Sequence, residues 1–409
     1  MKKLLPSKII CTLGPASSSE EIICKMIDEG MSIARINLSH AAGESSHAVL
    51  NMLNHLRENI KYSALSIAMD TKGPEIRTGI VPDVGILINQ GDTVVLTTDT
   101  KYSGSCEKSK VFIDHKNIYD DLSDACRSIF IDDGKLELEV LSVSKKREEI
   151  TTQAKNSGCI LSKKGVNIPN IKLSLPNLTE NDRKSIEFGI QHGVDLIFAS
   201  FIQRRQDIKD IKKMLTGRPN VKIIAKIEST EGLNNLSEIV EEADGVMIAR
   251  GDLGIETDYS NLFFSQCMIA KECKYQKKPF IVATEILESM KCSLKPTRAE
   301  VTDLSFAVLS GAACVMLSGE SAVGIDPVNT VRVMHKIVEK SSEAVLFPEA
   351  FRDQITLQPP VMKVLISKSV ESLRSTHILF GWGAIHADLA SDNVQIPDGY
   401  QLERVLDEK

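Results

Sequence analysis

The sequence lacks the features that would direct it to a membrane or to nucleic acid. None of its 409 residues belongs to an apolar run of the ~20 residues that a helix needs to cross a bilayer. The start, MKKLLPSKIICTLGPAS, has only a brief apolar stretch that Pro6 interrupts, which is unlike a signal peptide. The net charge is −6, and no block of lysines and arginines is long enough to follow a phosphate backbone. We therefore expect a cytoplasmic protein that binds neither membranes nor nucleic acid.

Closely paired cysteines are missing as well. The nine cysteines include no CxxC pair and no spacing to histidine typical of a metal site, so we expect reduced thiols. With 42% hydrophobic and 25% charged residues, the composition is that of an ordinary globular protein rather than a disordered or fibrous one. Because single cores stop growing at ~250 to 300 residues, this chain should form at least two domains.

Eight short, β-branched apolar runs recur along the chain, and most are followed by a turn and a segment with helical periodicity. This alternation is typical of βα units around a parallel sheet, and eight strands form a (β/α)₈ barrel. The sequence therefore predicts an α/β protein with a TIM barrel. Its strands are expected at residues 8–13, 34–39, 66–71, 195–201, 222–227, 245–249, 279–284 and 314–318. Its helices are expected at residues 19–29, 44–58, 204–215, 232–242, 261–277 and 298–311.

The third βα unit breaks this alternation. Residues 74–172 show strand-like patterning punctuated by turn signals such as Asp133-Gly134. This pattern predicts an all-β domain, a small β-barrel, inserted between barrel segments 1–73 and 173–345. Because the loops after the strands form the active site of this fold, such an insertion would face the site as a lid. An insertion without a catalytic role is the alternative.

Polar residues gather at the carboxyl ends of the predicted strands, although strands buried on both faces should be apolar. If the strands pair as a barrel, these residues converge at its mouth, where this fold places catalysis. They are Arg35, Asn37, Ser39, Asp70, Thr71, Lys226, Glu228, Arg250, Asp252 and Thr284, with Gly251 between two of them.

Two kinds of side chain near the predicted mouth indicate phosphoryl transfer. Glu228 and Asp252 offer the carboxylate oxygens that hold a hydrated Mg²⁺. Arg35, Arg77 and Lys226 offer the positive charge that suits phosphate oxygens. Carboxylate-held magnesium with several cations is the equipment of phosphoryl transfer. Taken alone, Lys226 and Glu228 would more often be a structural ion pair, and the convergence of five strands argues against that reading.

At these residues the chain resembles the pyruvate kinase family, over roughly residues 7–340 and in consistent order. The resemblance implies transfer of the phosphoryl group of phosphoenolpyruvate to ADP, giving pyruvate and ATP in the last step of glycolysis. It also implies a homo-oligomer. The matching motifs are KIICTLGPAS (8–17), ARINLSH (34–40), MDTKGPEIRTG (69–79), KKGVNIP (163–169), AKIES (225–229), ARGDLGIE (249–256), LESM (287–290), KPTRAEV (295–301) and MLSGESA (316–322).

The resemblance assigns roles to individual residues. Arg35 would contact phosphate, Lys226 would stabilise the transferring phosphoryl group, and Thr284 would help to protonate enolpyruvate through water. Glu228 and Asp252 would hold Mg²⁺ or Mn²⁺. The residues expected to bind phosphoenolpyruvate are Arg35, Lys226, Asp252, Thr284 and the amide of Gly251.

A potassium site and a nucleotide site are implied in the same way. The expected K⁺ ligands are Asn37, Ser39, Asp70 and Thr71, with ordinary strand-end hydrogen bonding as the alternative for the first two. Glu75 matches the potassium-dependent form of the family, so a K⁺ requirement is expected. The residues expected to bind the nucleotide are Asn37, His40, Arg77 and Lys164, with a solvated loop lysine as the alternative for the last.

Several positions depart from the family pattern. Ala41 replaces a glycine near the cation site, and Glu285 replaces a glutamine and would bring negative charge near an anionic substrate. Phe306 and Ala313 replace a polar and an acidic residue, which implies altered helix or subunit packing. Residues 346–409 resemble only the opening of the family's C-terminal domain. We therefore expect a shortened C-terminal α/β segment, a loss of sugar-phosphate regulation, and a reduced or rebuilt tetramer interface.

Two other functions stay open at this point. A non-catalytic relative that binds nucleotide or phosphoenolpyruvate and acts through partners would account for Glu285, Phe306 and the short tail, but the intact catalytic set opposes it. A magnesium-dependent aldolase or lyase on the same fold would also stabilise an enolate at a barrel mouth. The KKGVN loop and the inserted domain argue against that second alternative.

Overall fold

The computed structural model describes residues 7–37, 44–122, 128–169, 171, 173–174, 176 and 178–346. The chain begins with β1 (Lys8–Thr12), α1 (Glu20–Glu29), β2 (Met31–Asn37), α2 (Glu44–Glu58) and β3 (Ser66–Asp70). The first helix starts after Ser19, whose side chain accepts a hydrogen bond from the amide of Ile22. It ends at Gly30, where a φ of +128° favours glycine.

The inserted segment is a β domain. Its described elements are β4 (Ile76–Arg77), β5 (Ile86–Ile88), β6 (Thr93–Thr97), β7 (Lys110–Phe112), α3 (Ile118–Asp121), β8 (Ser128–Ile131), β9 (Leu136–Ser144), β10 (Glu149–Ala154), β11 (Gly158–Ile160) and β12 (Gly165–Asn167). Seven strands pair in the order β4-β12-β8-β9-β10-β6-β7, and β5 pairs with β11. A bridge between Thr78 and Ile113 joins the two edges of the larger sheet, which makes it barrel-like.

The remaining chain alternates helices and strands. Its elements are α4 (Glu180–Gln191), β13 (Leu196–Ala199), α5 (Arg205–Met214), β14 (Lys222–Ile227), α6 (Thr230–Asn234), α7 (Leu236–Glu242), β15 (Gly245–Ala249), α8 (Arg250–Glu256), α9 (Leu262–Tyr275), β16 (Phe280–Ala283), α10 (Arg298–Leu309), β17 (Cys314–Leu317), α11 (Gly319–Ala322) and α12 (Pro327–Leu346). Short 3₁₀ helices cover Thr100–Tyr102, Lys145–Arg147, Tyr259–Asn261 and Glu288–Lys291. The prediction of a single helix at 232–242 is wrong, because the structure has two helices, α6 and α7, divided at Asn235. The side chain of Asn235 donates a hydrogen bond to the carbonyl of Gln203.

The eight predicted strands close into one barrel. Their order is β1-β17-β16-β15-β14-β13-β3-β2, and each pairs in parallel with its neighbours. The prediction of a (β/α)₈ barrel with an inserted all-β domain is confirmed. The bounds differ by a few residues, since β2 begins at Met31 rather than residue 34. The domain boundaries given above stay a prediction.

Apolar side chains fill three separate cores. The largest lies between the outer face of the barrel and the surrounding helices, and Ile67, Ile197 and Ile248 belong to it. A smaller core fills the inside of the barrel, around Phe198 and Met247. The inserted domain has a core of its own, including Val94, Leu96, Ile129 and Leu138. The barrel interior is therefore packed, and any site must lie above it at the mouth.

The strand repeat explains why polar side chains reach that mouth. Residues two apart on a strand point to the same side, so an inward-facing apolar residue is followed by an inward-facing residue one layer higher. On five strands that higher residue is polar. The pairs are Ile10 and Thr12, Ile33 and Arg35, Ala68 and Asp70, Phe198 and Ser200, and Ile224 and Lys226. The site is thus the top layer of the barrel interior.

Some predictions concern residues outside the described ranges. Ser39, His40 and Ala41 lie outside the described residues, as does the predicted C-terminal segment after Leu346. Among the helices of the described ranges, none has the length and apolar character that a membrane span requires.

Candidate active site at the barrel mouth

Asp70 is the centre of the polar layer at the mouth. It ends β3 and is only 1% exposed. Arg35, on the neighbouring β2, approaches one carboxylate oxygen with Nε at 2.7 Å and Nη2 at 2.5 Å, and it reaches Thr12 Oγ1 with Nη1 at 2.8 Å. Burial alone raises the pKa of the Asp70 carboxyl, but the charges of Arg35 and Lys226 outweigh burial and hold that pKa below its ordinary value. Asp70 is therefore a carboxylate between two fixed cations.

Lys226 is the second buried cation. Its Nζ lies 2.7 Å from Ser200 Oγ, 3.2 Å from Asp70 Oδ1 and 2.9 Å from Glu228 Oε1. Burial lowers the pKa of the ammonium group, but the charges of Asp70 and Glu228 more than offset this, and the pKa lies above its ordinary value. Lys226 is thus a charged ammonium held by three oxygens from three strands or their ends. It has the position that the sequence predicted.

Glu228 and Asp252 form a pair of acids beside Lys226. Glu228 is 1% exposed, and its Oε2 accepts a hydrogen bond of 2.6 Å from the amide of Phe201. Its buried Oε1 makes no hydrogen bond, but it forms the ion pair with Lys226 described above. Burial and the neighbouring charge of Glu228 raise the pKa of the Asp252 carboxyl well above its ordinary value. The two acids repel each other unless a proton or a cation lies between them.

This pair fits a divalent cation. The described residues contain no cluster of three or more histidine, cysteine or acidic residues that would enclose a metal by themselves. Magnesium, however, is commonly held by one or two carboxylates and completed by water and substrate oxygens. Across the mouth, two cations face three carboxylates, so a divalent cation would turn the net charge of the cluster positive. Such a cluster suits a phosphorylated anion.

Gly251 and Thr284 face each other across the ends of β15 and β16. The amide of Gly251 donates a hydrogen bond of 2.7 Å to Thr284 Oγ1, and that hydroxyl donates one of 2.6 Å to the carbonyl of Ala283. A methyl group at Gly251 would meet Thr284 at 3.6 Å, which is ordinary contact. The glycine is therefore not required by the surrounding protein. It leaves open space beside Thr284, as an anion-binding amide needs.

The predicted potassium ligands are only partly described. Both carboxylate oxygens of Asp70 already face cations, and Thr71 Oγ1 accepts a hydrogen bond of 3.0 Å from the amide of Ser200. Asn37 is exposed at the end of β2 and has an interaction partner. Asn37, Asp70 and Thr71 thus lie at adjoining strand ends, as predicted. A K⁺ ion bound there would share Asp70 with the two buried cations.

The predicted nucleotide cations belong to the inserted domain and are held differently. Arg77 donates two hydrogen bonds to Glu75 Oε2, at 3.0 and 2.7 Å, and one of 2.9 Å to the carbonyl of Lys163. Lys164 Nζ lies 2.7 Å from Asp132 Oδ1. Both cations are part exposed and each has a carboxylate partner. The assignment of Lys164 to the nucleotide, and its alternative as a solvated loop lysine, stay predictions.

The inserted domain touches the barrel beside the acid pair. Asn167 Nδ2 donates a hydrogen bond of 2.9 Å to Glu256 Oε1 at the end of α8. Burial raises the pKa of Glu256, and the Asn167 hydrogen bond offsets this only in part. A cavity of about 230 Å³ lies at this junction, lined on one side by Glu75 and Asn167 and on the other by Ser229 and Glu256. The insertion therefore adjoins the mouth, as the lid interpretation requires.

Sequence reasoning missed several residues of the site. Ser200 joins Lys226, Asp70 and the carbonyl of Thr71, at 2.7, 3.1 and 2.7 Å. Its position two residues after the inward-facing Phe198 was the available signal. Thr12 shares that signal. Asp132 and Asp303 had no such signal. Arg250 was among the predicted strand-end residues, but nothing in the sequence indicated its pairing with Asp303.

Two departures from the family pattern have structural outcomes. The Glu285 side chain is exposed, so its charge points towards solvent rather than into the polar layer. Phe306 packs against Phe263, with ring centroids 5.3 Å apart. Neither substitution disturbs the network around Asp70, and the altered packing lies on the outer face of the barrel.

Fold and site together define an enzyme of the (β/α)₈ class with two buried cations and three carboxylates at the barrel mouth. A model of the pyruvate kinase barrel domain matches residues 4–331. The chain belongs to the pyruvate kinase family, which are phosphotransferases.

The relatives support the same family across most of the chain. A pyruvate kinase from Hypocrea jecorina is 40% identical over 397 residues, which are 97% of this chain and 73% of the relative. One from Kluyveromyces lactis is 41% identical over 357 residues, 86% of this chain and 70% of the relative. The human pyruvate kinase PKLR is 40% identical over 356 residues, 85% of this chain and 62% of the relative.

Proposed function

We propose that this chain is a glycolytic pyruvate kinase that transfers the phosphoryl group of phosphoenolpyruvate to ADP, giving pyruvate and ATP. The observation that carries the proposal is Lys226: a buried, charged ammonium at the mouth, fixed by Asp70, Ser200 and Glu228. A pre-positioned charge of this kind stabilises a phosphoryl group whose charge spreads over peripheral oxygens in the transition state. Forty per cent identity to pyruvate kinases supports the same reaction.

Phosphoenolpyruvate would bind between the two buried cations and the amide of Gly251. Arg35 and Lys226 would meet the phosphate, and the Gly251 amide and Thr284 would meet the carboxylate. Because that amide already donates to Thr284 Oγ1, the substrate carboxylate would take over this hydrogen bond and release the hydroxyl. Substrate binding would thereby turn the Thr284 hydroxyl towards the reacting carbon.

Glu228 and Asp252 would hold Mg²⁺ or Mn²⁺, in keeping with the metal dependence of the family. When bound, the ion supplies Lewis-acid stabilisation of substrate and phosphoryl oxygens. The closeness of the two acids supports this assignment, since it raises the pKa of Asp252 and a shared cation would relieve their repulsion, which Lys226 alone does not do. Asp252 would also contact phosphoenolpyruvate.

Loss of the phosphoryl group leaves enolpyruvate, which becomes pyruvate when its methylene carbon takes a proton. Thr284 would assist through a water molecule rather than by donating directly. Its hydroxyl accepts from the Gly251 amide and donates to the Ala283 carbonyl, so passing its proton to that water means giving up the hydrogen bond to Ala283 and regaining a proton from solvent. Lys226 would stabilise the enolate oxygen until the proton arrives.

On the other substrate, Arg77 and Lys164 would bind the phosphates of ADP, assisted by Asn37 and His40. The pair of Arg77 with Glu75 is partly exposed, and such pairs contribute little to stability. Asp132 is buried, but it keeps the ammonium of Lys135 when the part-exposed Lys164 leaves. ADP phosphates would therefore compete with the two carboxylates at small cost. Asn37, Ser39, Asp70 and Thr71 would bind K⁺, and Glu75 supports a K⁺ requirement.

An assembly of several copies is also proposed. Tyr259, Phe263, Phe264 and Met268 form an exposed apolar face on and before α9, with Tyr259 82% and Phe264 68% exposed. Contiguous apolar patches of this kind usually mark an interaction surface. Light scattering of the purified protein at several concentrations measures the assembly, and a monomer at all concentrations contradicts it. We propose the cytoplasm as its location, together with the other steps of glycolysis.

The decisive experiment measures pyruvate formation from phosphoenolpyruvate and ADP with Mg²⁺, in K⁺ and in Na⁺ buffers. We expect activity that needs both substrates and Mg²⁺ and that is higher in K⁺. An intact protein that binds the ligands without turning them over supports a binding-only relative. Release of pyruvate or phosphate without ADP points to a lyase.

A further inference from the structure

Thr284 and Glu285 have an unusual backbone. Their φ angles are +65° and +51°, so two consecutive residues other than glycine lie in the left-handed region. Among the eight described residues of this kind, Thr284 alone is β-branched. For β-branched residues a positive φ is a true outlier, and it persists only where the surrounding structure enforces it. A specific part of the fold must therefore hold this turn.

Arg250 is that part of the fold. It is the first residue of α8, and it is only 7% exposed. Its Nε and Nη2 donate to the carbonyl of Thr284 at 3.2 and 2.8 Å, and Nη2 also donates to the carbonyl of Glu285 at 2.9 Å. One guanidinium thus binds both carbonyl groups of the strained turn. Lysine, with a single ammonium, does not reproduce this planar fork.

Asp303 aligns the arginine from the opposite side. Arg250 Nη1 lies 2.7 and 2.8 Å from the two carboxylate oxygens of Asp303, which is on α10. The remaining guanidinium edge is then directed at the two carbonyls. Neither Arg250 nor Asp303 is needed to contact the substrate for this arrangement to work. They connect α10, the end of β15 and the turn after β16.

The clamp sets the distance between two groups of the proposed mechanism. Arg250 immediately precedes Gly251, and Gly251 N lies 2.7 Å from Thr284 Oγ1. Arg250 therefore holds Thr284 in place opposite the amide of Gly251, the amide proposed to bind the substrate carboxylate. We propose that Arg250 and Asp303 are positioning residues that keep Thr284 and Glu285 in the left-handed conformation, so that the Thr284 hydroxyl faces the Gly251 amide and the substrate between them.

This proposal rests on the proposed function for its kinetic consequence, because Thr284 matters to turnover only if enolpyruvate is protonated here. Misplacement of a reacting group by about 1 Å costs about 100-fold in rate. We therefore expect Arg250→Lys to lower kcat for pyruvate formation by about 100-fold. The KM for ADP should stay within about twofold, because the nucleotide cations lie on the inserted domain. Asp303→Asn should lower kcat less, since the arginine remains.

Rescue separates positioning from other roles of the arginine. Glycine adopts a positive φ without strain. The double variant Arg250→Lys, Glu285→Gly should therefore have a kcat at least about tenfold higher than that of Arg250→Lys alone. A role of Arg250 in charge alone, or in general stability, predicts no such recovery. Arg332→Lys is the matched control, because Arg332 pairs with Glu29 at 2.9 Å on the outer helices. The kcat of this variant should equal that of the wild type.

The crystal structure of the Arg250→Lys protein tests the clamp independently of activity. We expect the φ of Thr284 or Glu285 to become negative and the hydrogen bond from Gly251 N to Thr284 Oγ1 to be lost. An unchanged turn in that structure overturns the proposal, as does a kcat within twofold of the wild type or a failure of Glu285→Gly to rescue. An inactive wild type would refute the proposed function alone, and the crystallographic comparison would still decide the clamp.

Discussion

The barrel and the inserted domain each carry two of the cations assigned to the proposed substrate sites, but they hold them in different ways. Arg35 and Lys226 rise from barrel strands, and each side chain is 11% exposed. Arg77 and Lys164 lie on the inserted domain and are 22% and 34% exposed. The barrel pair shares the buried Asp70, whereas Arg77 pairs with the part-exposed Glu75, and Lys164 pairs with the buried Asp132, which Lys135 also contacts.

This difference separates two tasks. Removing one partner of a buried ion pair leaves an uncompensated charge, so the barrel cations are fixed. Partly exposed pairs exchange partners at little cost, so the cations of the inserted domain can leave their carboxylates for an incoming phosphate. The barrel is thus expected to determine the rate of the chemical step. The inserted domain is expected to determine the affinity for the nucleotide.

The largest effect should come from Lys226→Met. It removes the buried ammonium and leaves Asp70 and Glu228 facing each other, so we expect kcat to fall by about 10³-fold or more. Steady-state kinetics at saturating phosphoenolpyruvate and ADP measures this loss. Lys212→Met, which breaks the ion pair with Glu242 on the outer helices, is the control and should retain the wild-type kcat. A Lys226→Met protein with near-normal kcat would remove the basis of the comparison.

Ser200→Ala should have the second largest effect. The hydroxyl accepts from Lys226 and donates within the barrel, so its loss leaves a buried ammonium short of one oxygen. At ~1 to 3 kcal/mol for an unsatisfied buried group, kcat should fall by about 30-fold while the KM for ADP is unchanged. Ser341→Ala, which removes a hydroxyl bonded to the carbonyl of Ile337 in α12, is the matched control. A change confined to the KM for ADP would contradict the assignment of Ser200 to the chemical step.

Lys164→Ala should act on affinity instead of rate. We expect the KM for ADP to rise by about tenfold, as for one charge-assisted hydrogen bond, with little change in the KM for phosphoenolpyruvate. Initial rates over a range of ADP concentrations measure it. Lys155→Ala, on the same domain and paired with Glu139, should leave both KM values unchanged. Equal changes in both KM values would mean that the two domains do not divide the tasks.

The smallest effect is on the stability of the metal-free protein. The folded state binds the Asp252 proton more tightly than the unfolded chain does, since its pKa lies well above the ordinary 3.8. Stability therefore falls as pH rises from that ordinary value through the raised pKa, and the penalty is complete above it. Asparagine carries no charge, so at neutral pH with a chelator Asp252→Asn should raise Tm by about 1 to 2 °C.

Thermal unfolding at several pH values measures this difference. The exposed Asp83 offers a control, and Asp83→Asn should leave Tm unchanged. Added Mg²⁺ should reverse the order by stabilising the wild type. If the wild type and Asp252→Asn melt together at neutral pH in chelator, Glu228 and Asp252 do not repel each other as described.

How far the sequence predicted the site can be judged from particular residues. Lys226 and Asp70 were found because charge at the end of an apolar strand is a rare pattern, and the parallel barrel brings such ends together. The inserted β domain was found from the loss of helical periodicity and the density of turn signals. The helix at 232–242 was not predicted correctly, because its break depends on a hydrogen bond from Asn235 to Gln203 on another βα unit.

What the sequence alone determined about this protein is which residues stand at the ends of which strands, since a two-residue repeat orders them along each strand. What the tertiary structure decided is which of them touch. The register of β3 with β13, and of β13 with β14, brings Ser200 to Lys226 and Asp70. The clamp joins Arg250 to Asp303, 53 positions away, and to a turn whose left-handed backbone no local pattern indicates. Local spacing acts within one strand or helix, whereas contacts between elements follow only from the closure of the whole barrel.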